Sequence, residues 1–323
     1  MDKLVLATEQ GIMVFQHDQA DWHEFARGLT GQQVTSATSD ERTVLAGTEE
    51  GIFRSVDEGK TWEEASNGLT VPHVRWMANH PGLSNLVLAG TEPAGIFVSA
   101  DGGDSWRACP EVAELRDRYK WSLPYSPEAG CVRGFAFHGS HLYAAVEVGG
   151  VLVSDDSGDT WHLAEGSDGK PNLEGPPEPF VYPDVHSLEV HRSSPDLVYA
   201  PTGGGFYRSN DGGKTWKLFY DCYCRAVWVD PDEPEHLILG PADYVDSNGR
   251  IEESHDGGMT WALASNGLKV PWRRTMVERF FQADEELFAI LSNGQLFSAS
   301  VSALEWHHSL PNVAGVNAMT KLV

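Results

Sequence analysis

The chain has 323 residues, including 33 glycines, 11 tryptophans and 4 cysteines, and a formal net charge of −24 at pH 7. That charge argues against a nucleic-acid binder, which needs a basic surface, and four cysteines are too few for a disulfide scaffold. Its apolar runs are too short to span a membrane and its first residues lack a signal-peptide pattern. We therefore expect a cytoplasmic protein that binds neither nucleic acid nor membrane.

Along the chain, an eight-residue pattern of the form Ser-x-Asp-x-Gly-x-Thr/Ser-Trp recurs five times. The copies begin at Ser55, Ser99, Ser154, Ser209 and Ser254. Two decayed copies end at Trp22 and Trp306, so the repeat tryptophans lie 40 to 55 residues apart. This spacing predicts seven copies of one structural unit.

Each unit contains several short apolar segments that are typical of strands. In the fourth unit, for example, segments 132–137, 142–145 and 150–154 precede the octet. With the strand that carries the threonine and tryptophan, this makes four antiparallel strands per unit. The pattern predicts an all-β, seven-bladed β-propeller of four-stranded antiparallel blades, with residues 1–323 as a single domain.

The two ends of the chain predict how the ring closes. Residues 4–7 read as a second strand, so the first blade lacks its innermost strand. The C-terminal segment 313–319 reads as that strand. Pairing of the two ends would complete blade 1 and remove an open sheet edge.

The octet itself is typical of a structural turn. Serine and aspartate accept hydrogen bonds from the backbone of a turn, and glycine permits positive φ. The tryptophan can pack between neighbouring blades. Octets spread around a ring lie too far apart to bind one ligand, so we expect them to stabilise the fold.

The octet is the Asp-box pattern, and through it the chain resembles the BNR-repeat superfamily. That resemblance implies boxes on the periphery, away from the functional funnel. Sialidases, other BNR-type glycosidases, propeller lyases and the seven-bladed photosystem II assembly-factor family share such repeats. Seven blades, no Arg-Ile/Leu-Pro motif near the N-terminus and no assignable nucleophilic tyrosine argue against a sialidase.

The first residues of the innermost strands predict a binding site, because they lie at the mouth of the central channel. Aligned on the preceding small or apolar residue, they form a column of Thr35, Arg75, Arg133, His186, Arg225, Arg274 and Asn317. Guanidinium groups brought together repel one another unless anions lie among them, and arginine suits carboxylate, sulfate or phosphate. The alternative is that nearby acids neutralise the column: Glu9, Glu49, Glu92, Glu147 and Asp184.

Two classes of function follow. The first is binding of an anionic small molecule or acidic carbohydrate. As an enzyme, the chain would be a glycoside hydrolase with a carboxylate pair drawn from Glu49, Glu92 and Glu147, or a lyase with His186 or Tyr182 as base. The second class is a non-catalytic protein-binding scaffold or assembly factor.

We expect aromatic side chains on the face that contains the channel mouth. They would be carried there by the long connections 107–130 and 162–184 and by an insertion at 241–249. No metal or cofactor is expected. The 13 histidines show no zinc-site spacing. The cysteine pair Cys222 and Cys224 lacks the two further ligands that a zinc site would need.

Overall fold

The computed structural model describes residues 3–18, 21–123, 125 and 129–322. These residues form seven four-stranded antiparallel sheets around a central channel, which confirms the predicted fold. Blade 1 contains β1 (Lys3–Thr8), β2 (Gly11–Asp18), β3 (Asp21–Gly28) and β28 (Val316–Leu322). Blade 2 contains β4 (Val34–Asp40), β5 (Thr43–Thr48), β6 (Ile52–Ser55) and β7 (Glu63–Glu64). Blade 3 contains β8 (Val74–Asn79), β9 (Val87–Thr91), β10 (Gly95–Ser99) and β11 (Arg107–Ala108).

The remaining blades follow in chain order. Blade 4 contains β12 (Cys131–His138), β13 (His141–Glu147), β14 (Gly150–Ser154) and β15 (His162–Leu163). Blade 5 contains β16 (Glu189–Val190), β17 (Val198–Thr202), β18 (Gly205–Ser209) and β19 (Lys217–Tyr220). Blade 6 contains β20 (Tyr223–Val229), β21 (Leu237–Ala242), β22 (Glu252–Ser254) and β23 (Ala262–Leu263). Blade 7 contains β24 (Val277–Ala283), β25 (Glu286–Leu291), β26 (Leu296–Ser300) and β27 (His307–His308).

Blade 1 is completed by the C-terminal strand, as predicted. β28 pairs with β1 in antiparallel register, with Leu322 opposite Lys3 and Val316 opposite Thr8. The strand begins three residues later than expected, because Val313 donates its N–H to Leu310 in a turn. The two ends of the described chain therefore join in one sheet, which leaves blade 1 without an open inner edge.

The Asp boxes are self-contained turns at the strand ends opposite the mouth. In blade 4, the buried Ser154 hydroxyl accepts the N–H of Gly158 at 2.8 Å and donates to Asp156 at 2.8 Å. The Asp156 carboxylate accepts the N–H and hydroxyl of Thr160 at 2.9 and 2.6 Å. These hydrogen bonds lower the pKa of Asp156 to about 2. The same contacts recur in the other boxes, so the serine and aspartate side chains of each box hydrogen-bond within their own turn.

The hydrophobic core lies between adjacent blades. Trp106 of blade 3 is buried and donates its indole N–H to the carbonyl of Ala65 in blade 2 at 2.9 Å. Glycine permits close approach at the inner strands, because a Cβ on Gly90 would lie 2.6 Å from the carbonyl oxygen of Val132 in the next blade. The blades are thus held together by side-chain packing and by direct backbone contact.

One helix interrupts the β structure. α1 (Pro110–Tyr119) follows β11 and buries Val112 in the cluster shared by blades 3 and 4. Its Arg116 donates to the carbonyl of Ala94 at 3.3 Å. The helix therefore stabilises a blade junction. No helix among the described residues has the length and apolar character needed to cross a bilayer.

Candidate functional site: an arginine-lined channel mouth

The innermost strands share a local irregularity near their first residues. In six blades the register shifts by one or more positions, which leaves unpaired residues that include Thr35, Arg75, Arg133, Arg225, Glu278 and Asn317. In blade 5, Val185 pairs with Thr202 and His186 follows it, at the same level. β-Bulges redirect side chains and are frequent near functional sites. Six of the seven residues of the predicted column therefore lie at equivalent positions of their strands.

The seventh position was predicted wrongly. Arg274 is exposed and lies before β24, three residues upstream of its first residue, Val277. The unpaired residue of this strand is Glu278. The column thus contains three arginines and a carboxylate in place of four arginines.

Glu278 joins two of those arginines across the channel. Its carboxylate contacts Arg133 of blade 4. It also accepts a hydrogen bond from Nη1 of Arg225 of blade 6 at 2.7 Å. Burial alone would raise the pKa of Glu278, but Arg225 and Arg133 hold it well below its usual range. The carboxylate is therefore ionised and neutralises part of the column.

Glu147 is the second carboxylate of Arg133. It is buried and accepts Nη1 of Arg133 at 2.9 Å. The hydroxyl of Tyr125 donates to Glu147 at 2.5 Å, and the thiol of Cys131 donates at 3.2 Å. Burial would raise the pKa of Glu147, but Arg133, His186 and these donors lower it well below its usual range. Glu147 is thus an ionised structural partner of Arg133.

His186 is completely buried beside this pair. Its Nδ1 lies 3.3 Å from Nη1 of Arg133, and because arginine can only donate, Nδ1 accepts and the ring hydrogen is on Nε2. Nε2 faces the carboxylate of Asp184 at 3.5 Å. Burial and the charge of Arg133 lower the pKa of His186 well below its usual value. Glu147, Asp184 and His186 are close enough to hold an ion, but this tautomer turns a hydrogen towards the space where the ion would bind.

Two carboxyl groups near the channel have raised pKa values. Burial, and the charge of Glu147, raise the pKa of Asp184 to about 7. Glu189 faces the narrow channel below the mouth, a cavity of about 90 Å³. The protein that surrounds this narrow channel limits the hydration of the carboxylate and raises its pKa to about 7, with Arg279 opposing that rise. Both groups therefore change charge near neutrality.

The mouth contains a cavity of about 230 Å³ whose lining includes Arg75, Trp76, Arg133, Glu278, Arg279 and Asn317. Arg75 has one carboxylate partner, Glu92, at 3.2 Å. The guanidinium of Arg279 lies 4.0 Å from the ring of Trp76 and donates to the carbonyl of Arg133 at 2.7 Å. Within the described part of the chain, no salt bridge joins Arg279 to a carboxylate.

The environment of Arg279 disfavours its positive charge. Burial, followed by repulsion from Arg133, lowers its pKa to about 9 although Glu278 opposes the change. Counted over the described residues of the mouth, four guanidinium groups face the three carboxylates of Glu92, Glu147 and Glu278. One positive charge is left over while Asp184 and Glu189 are protonated, and this cavity is where it lies.

The remaining predicted residues have structural roles or lie outside the cluster. Thr35 donates to the carbonyl of Val74 at 2.6 Å, and Asn317 donates to that of Val34 at 2.8 Å, so both link neighbouring inner strands. The hydroxyl of Tyr182 donates to the carbonyl of residue 173 at 2.7 Å. Glu49 is exposed on the turn after β5.

Sequence reasoning missed Glu278, Arg279 and Trp76. A usable signal was present, since a valine directly precedes the residue at the level of the column in six blades: Val34, Val74, Val132, Val185, Val277 and Val316. Aligning blade 7 on Val277 instead of the residues near Arg274 would have placed Glu278 in the column and Arg279 beside it.

One of the five Asp boxes, the one that begins at Ser209, matches a family model. The BNR/Asp-box repeat model matches residues 207–218. A probable oligoxyloglucan-reducing end-specific xyloglucanase from Neosartorya fischeri is 24% identical over 200 residues, which cover 52% of this chain and 24% of that protein. The match thus spans about a quarter of this curated relative.

Solved structures share the fold at low identity. An ancestral GH74 enzyme superposes with a TM-score of 0.63 at 18% identity and covers 86% of this chain, which spans 38% of that one. YCF48 from Cyanidioschyzon merolae superposes with a TM-score of 0.61 at 14% identity, covering 95% of this chain and 91% of its own. A structure of YCF48 bound to D1 peptide gives 0.61 at 14% identity, covering 92% and 87%.

Proposed function

Starting from a seven-bladed propeller of the BNR/Asp-box type, we propose that the cavity beside Arg279 binds the carboxylate of a small acidic ligand such as a uronic acid. The observation that carries this proposal is the guanidinium of Arg279, which lines a 230 Å³ cavity and has no ion pair among the described residues. Arginine binds carboxylates through paired N–H donors. While Asp184 and Glu189 are protonated, a single bound carboxylate would balance the one positive charge left over at the mouth.

The size and surroundings of the cavity favour one sugar ring or one terminal acidic group. Pockets for drug-sized ligands span about 300–1,000 Å³, and this cavity is smaller. Arg75 lines the same cavity and can supply a second donor, and Trp76 supplies an aromatic face. The overall charge of −24 does not prevent anion binding, because salt screens charges beyond about 8 Å at physiological ionic strength.

Binding is favoured over hydrolysis by the state of the carboxylates. Glu92 and Glu147 are buried partners of Arg75 and Arg133, so neither is free to protonate a leaving group or to attack a sugar.

The experiment compares matched acidic and neutral ligands by calorimetry. Glucuronate and glucose share a pyranose ring and differ mainly in the carboxylate. We expect the wild type to bind glucuronate and not glucose. Arg279→Gln should weaken binding at least about tenfold, since hydrogen bonds to charged groups contribute about 1.5–3 kcal/mol. Arg54→Gln, which removes an arginine that pairs with Asp104 away from the mouth, is the control. Equal affinities for both sugars, or unchanged binding by Arg279→Gln, would refute the proposal.

A second candidate function is docking of a peptide through a terminal carboxylate. It is favoured by Tyr244, which is 70% exposed on the same face and lies 6.1 Å from the ring of Tyr223. It is also favoured by the match to nearly the whole of YCF48, one structure of which is bound to D1 peptide. A peptide with a free C-terminus should then compete with glucuronate, whereas its C-terminal amide should not. Failure of both peptides to compete would eliminate this candidate.

A further inference from the structure

A second group of ionisable side chains lies at the end of blade 6 opposite the mouth. Asp230 follows β20, His236 precedes β21, Glu253 lies within β22 and His255 is in the Asp box of the same blade. We call these four residues the His–Glu cluster. The ligand atoms of His236, Glu253 and His255 all lie within 4.8 Å of one another.

The ring of His236 lies between two carboxylates, one at each ring nitrogen. Nδ1 lies 2.9 Å from a carboxylate oxygen of Asp230, and Nε2 lies 2.9 Å from Oε1 of Glu253. A neutral imidazole has one N–H, and an ionised carboxylate can only accept. A neutral His236 would therefore turn a lone pair towards a carboxylate. A metal ion at that contact, or a proton on the ring or on the carboxyl group, would satisfy both atoms.

Asp230 is positioned to hold the proton on Nδ1. Its other oxygen accepts the backbone N–H groups of residues 232 and 233 at 2.8 and 3.2 Å, which fixes the carboxylate. Trp228 packs edge-on against the ring of His236, with centroids 5.4 Å apart. Nε2 is thus the nitrogen left for a metal, in the carboxylate–histidine arrangement that orients metal-binding histidines.

Glu253 and His255 supply the other ligands. Nε2 of His255 lies 3.4 Å from Oε1 of Glu253, and its ring stacks on that of His236 at 4.6 Å and 14°. Tetrahedral ligands at about 2.0–2.2 Å from zinc lie about 3.3–3.6 Å from one another. The 3.4 Å separation of His255 from Glu253 falls in this range, whereas His236, at 2.9 Å, would move slightly away from Glu253. The side chain of His255 is 68% exposed, so the site opens to solvent and the ring can turn towards an ion.

We propose that the His–Glu cluster binds one Zn²⁺ through Nε2 of His236, the carboxylate of Glu253 and Nε2 of His255, with a fourth position open to solvent. Asp230 is a positioning residue for His236. The site lies opposite the mouth and does not depend on carboxylate binding there. No spacing in the sequence predicts it, because its ligands come from a strand end, a strand and a turn.

The test is Zn²⁺ binding by the full chain after chelator treatment, measured by competition with a chromophoric zinc chelator. We expect one Zn²⁺ per chain and weaker binding at lower pH, since protons compete for the histidines. His255→Asn and Glu253→Gln should each lower the affinity at least tenfold, and Asp230→Asn by about 10–100-fold. His162→Asn, which changes an exposed histidine of β15, should leave the affinity unchanged.

His255→Asn is the decisive variant, because its exposed side chain can be changed without affecting folding. Wild-type protein that binds no Zn²⁺ at micromolar concentrations would overturn the proposal. Equal Zn²⁺ affinity in His255→Asn and His162→Asn would also overturn it.

Discussion

The negative charge of Glu278 neutralises two arginines of the mouth, Arg133 and Arg225. Glu278→Gln tests that role. The substitution keeps the size of the side chain and one acceptor oxygen but removes the negative charge between Arg133 and Arg225. Arg279, adjacent in sequence, would lose its neighbouring carboxylate as well. Several guanidinium groups would then be enclosed with too few carboxylates, so we expect a large loss of stability.

The magnitude follows from the burial of the pair. The side chains of Glu278 and Arg225 are 19% and 17% exposed, and removal of one partner from a buried ion pair costs about 3–5 kcal/mol. With an unfolding entropy of about 2.1 cal/mol/K per residue, 323 residues correspond to about 0.7 kcal/mol/K. The melting temperature should therefore fall by about 4–7 °C.

The assay is calorimetric unfolding of the two proteins across a pH series. Because the folded-state pKa of Glu278 is lowered, its contribution is complete above the unfolded value of about 4.3 and is lost as pH falls through the folded value. The difference between wild type and Glu278→Gln should thus shrink below about pH 4. Glu24→Gln removes one partner of an exposed pair with Arg27 and should shift the melting temperature by less than about 1 °C. A similarly small shift for Glu278→Gln at pH 7 would refute the reasoning.

The other predictions concern the turns, the blade contacts and the pH response. Ser154→Ala leaves the buried N–H of Gly158 without its acceptor and should destabilise the protein by about 1–3 kcal/mol in urea unfolding; a value near zero would contradict the role of the Asp box. Gly90→Ala forces a Cβ against the carbonyl of Val132 and should cost about 1–3 kcal/mol in the same assay, whereas Gly139→Ala, with open space at its Cβ but a positive φ, reports the cost of backbone strain alone. The raised pKa of Asp184 gives stability that is complete below about pH 4 and lost as pH rises through about 7, so Asp184→Asn should be more stable than wild type at pH 8 and indistinguishable from it near pH 4. The same ionisation adds negative charge near the mouth, so glucuronate affinity should fall between pH 6 and pH 8, and a constant affinity would contradict the charge balance.

The repeats determined how much of the fold could be predicted. Strand number, blade count and closure follow from spacing and from the local chemistry of serine, aspartate and glycine. The position of each bulge also left a signal, because the valine before it packs against a glycine of the preceding blade in at least three junctions: Gly47 with Val74, Gly90 with Val132, and Gly240 with Val277.

The site could be predicted only in part, because its pairing crosses the channel. Arg133 and Glu278 lie in blades 4 and 7 and are 145 positions apart, so no local pattern relates them. The channel walls around Glu189 likewise come from other blades. The sequence-based alternative in which acids neutralise the column describes the pairs of Arg75 with Glu92 and of Arg133 with Glu147. The partner of Arg225, Glu278, was not among the acids that it named. The ligand hypothesis now rests on Arg279, which the alignment omitted.

The central claim is that a carboxylate binds beside Arg279, and a crystal structure of the protein grown with saturating glucuronate tests it most directly. The account predicts a carboxylate in the mouth cavity, at about 2.7–2.9 Å from a guanidinium nitrogen of Arg279. An empty cavity, or glucuronate bound only elsewhere on the molecule, would contradict it.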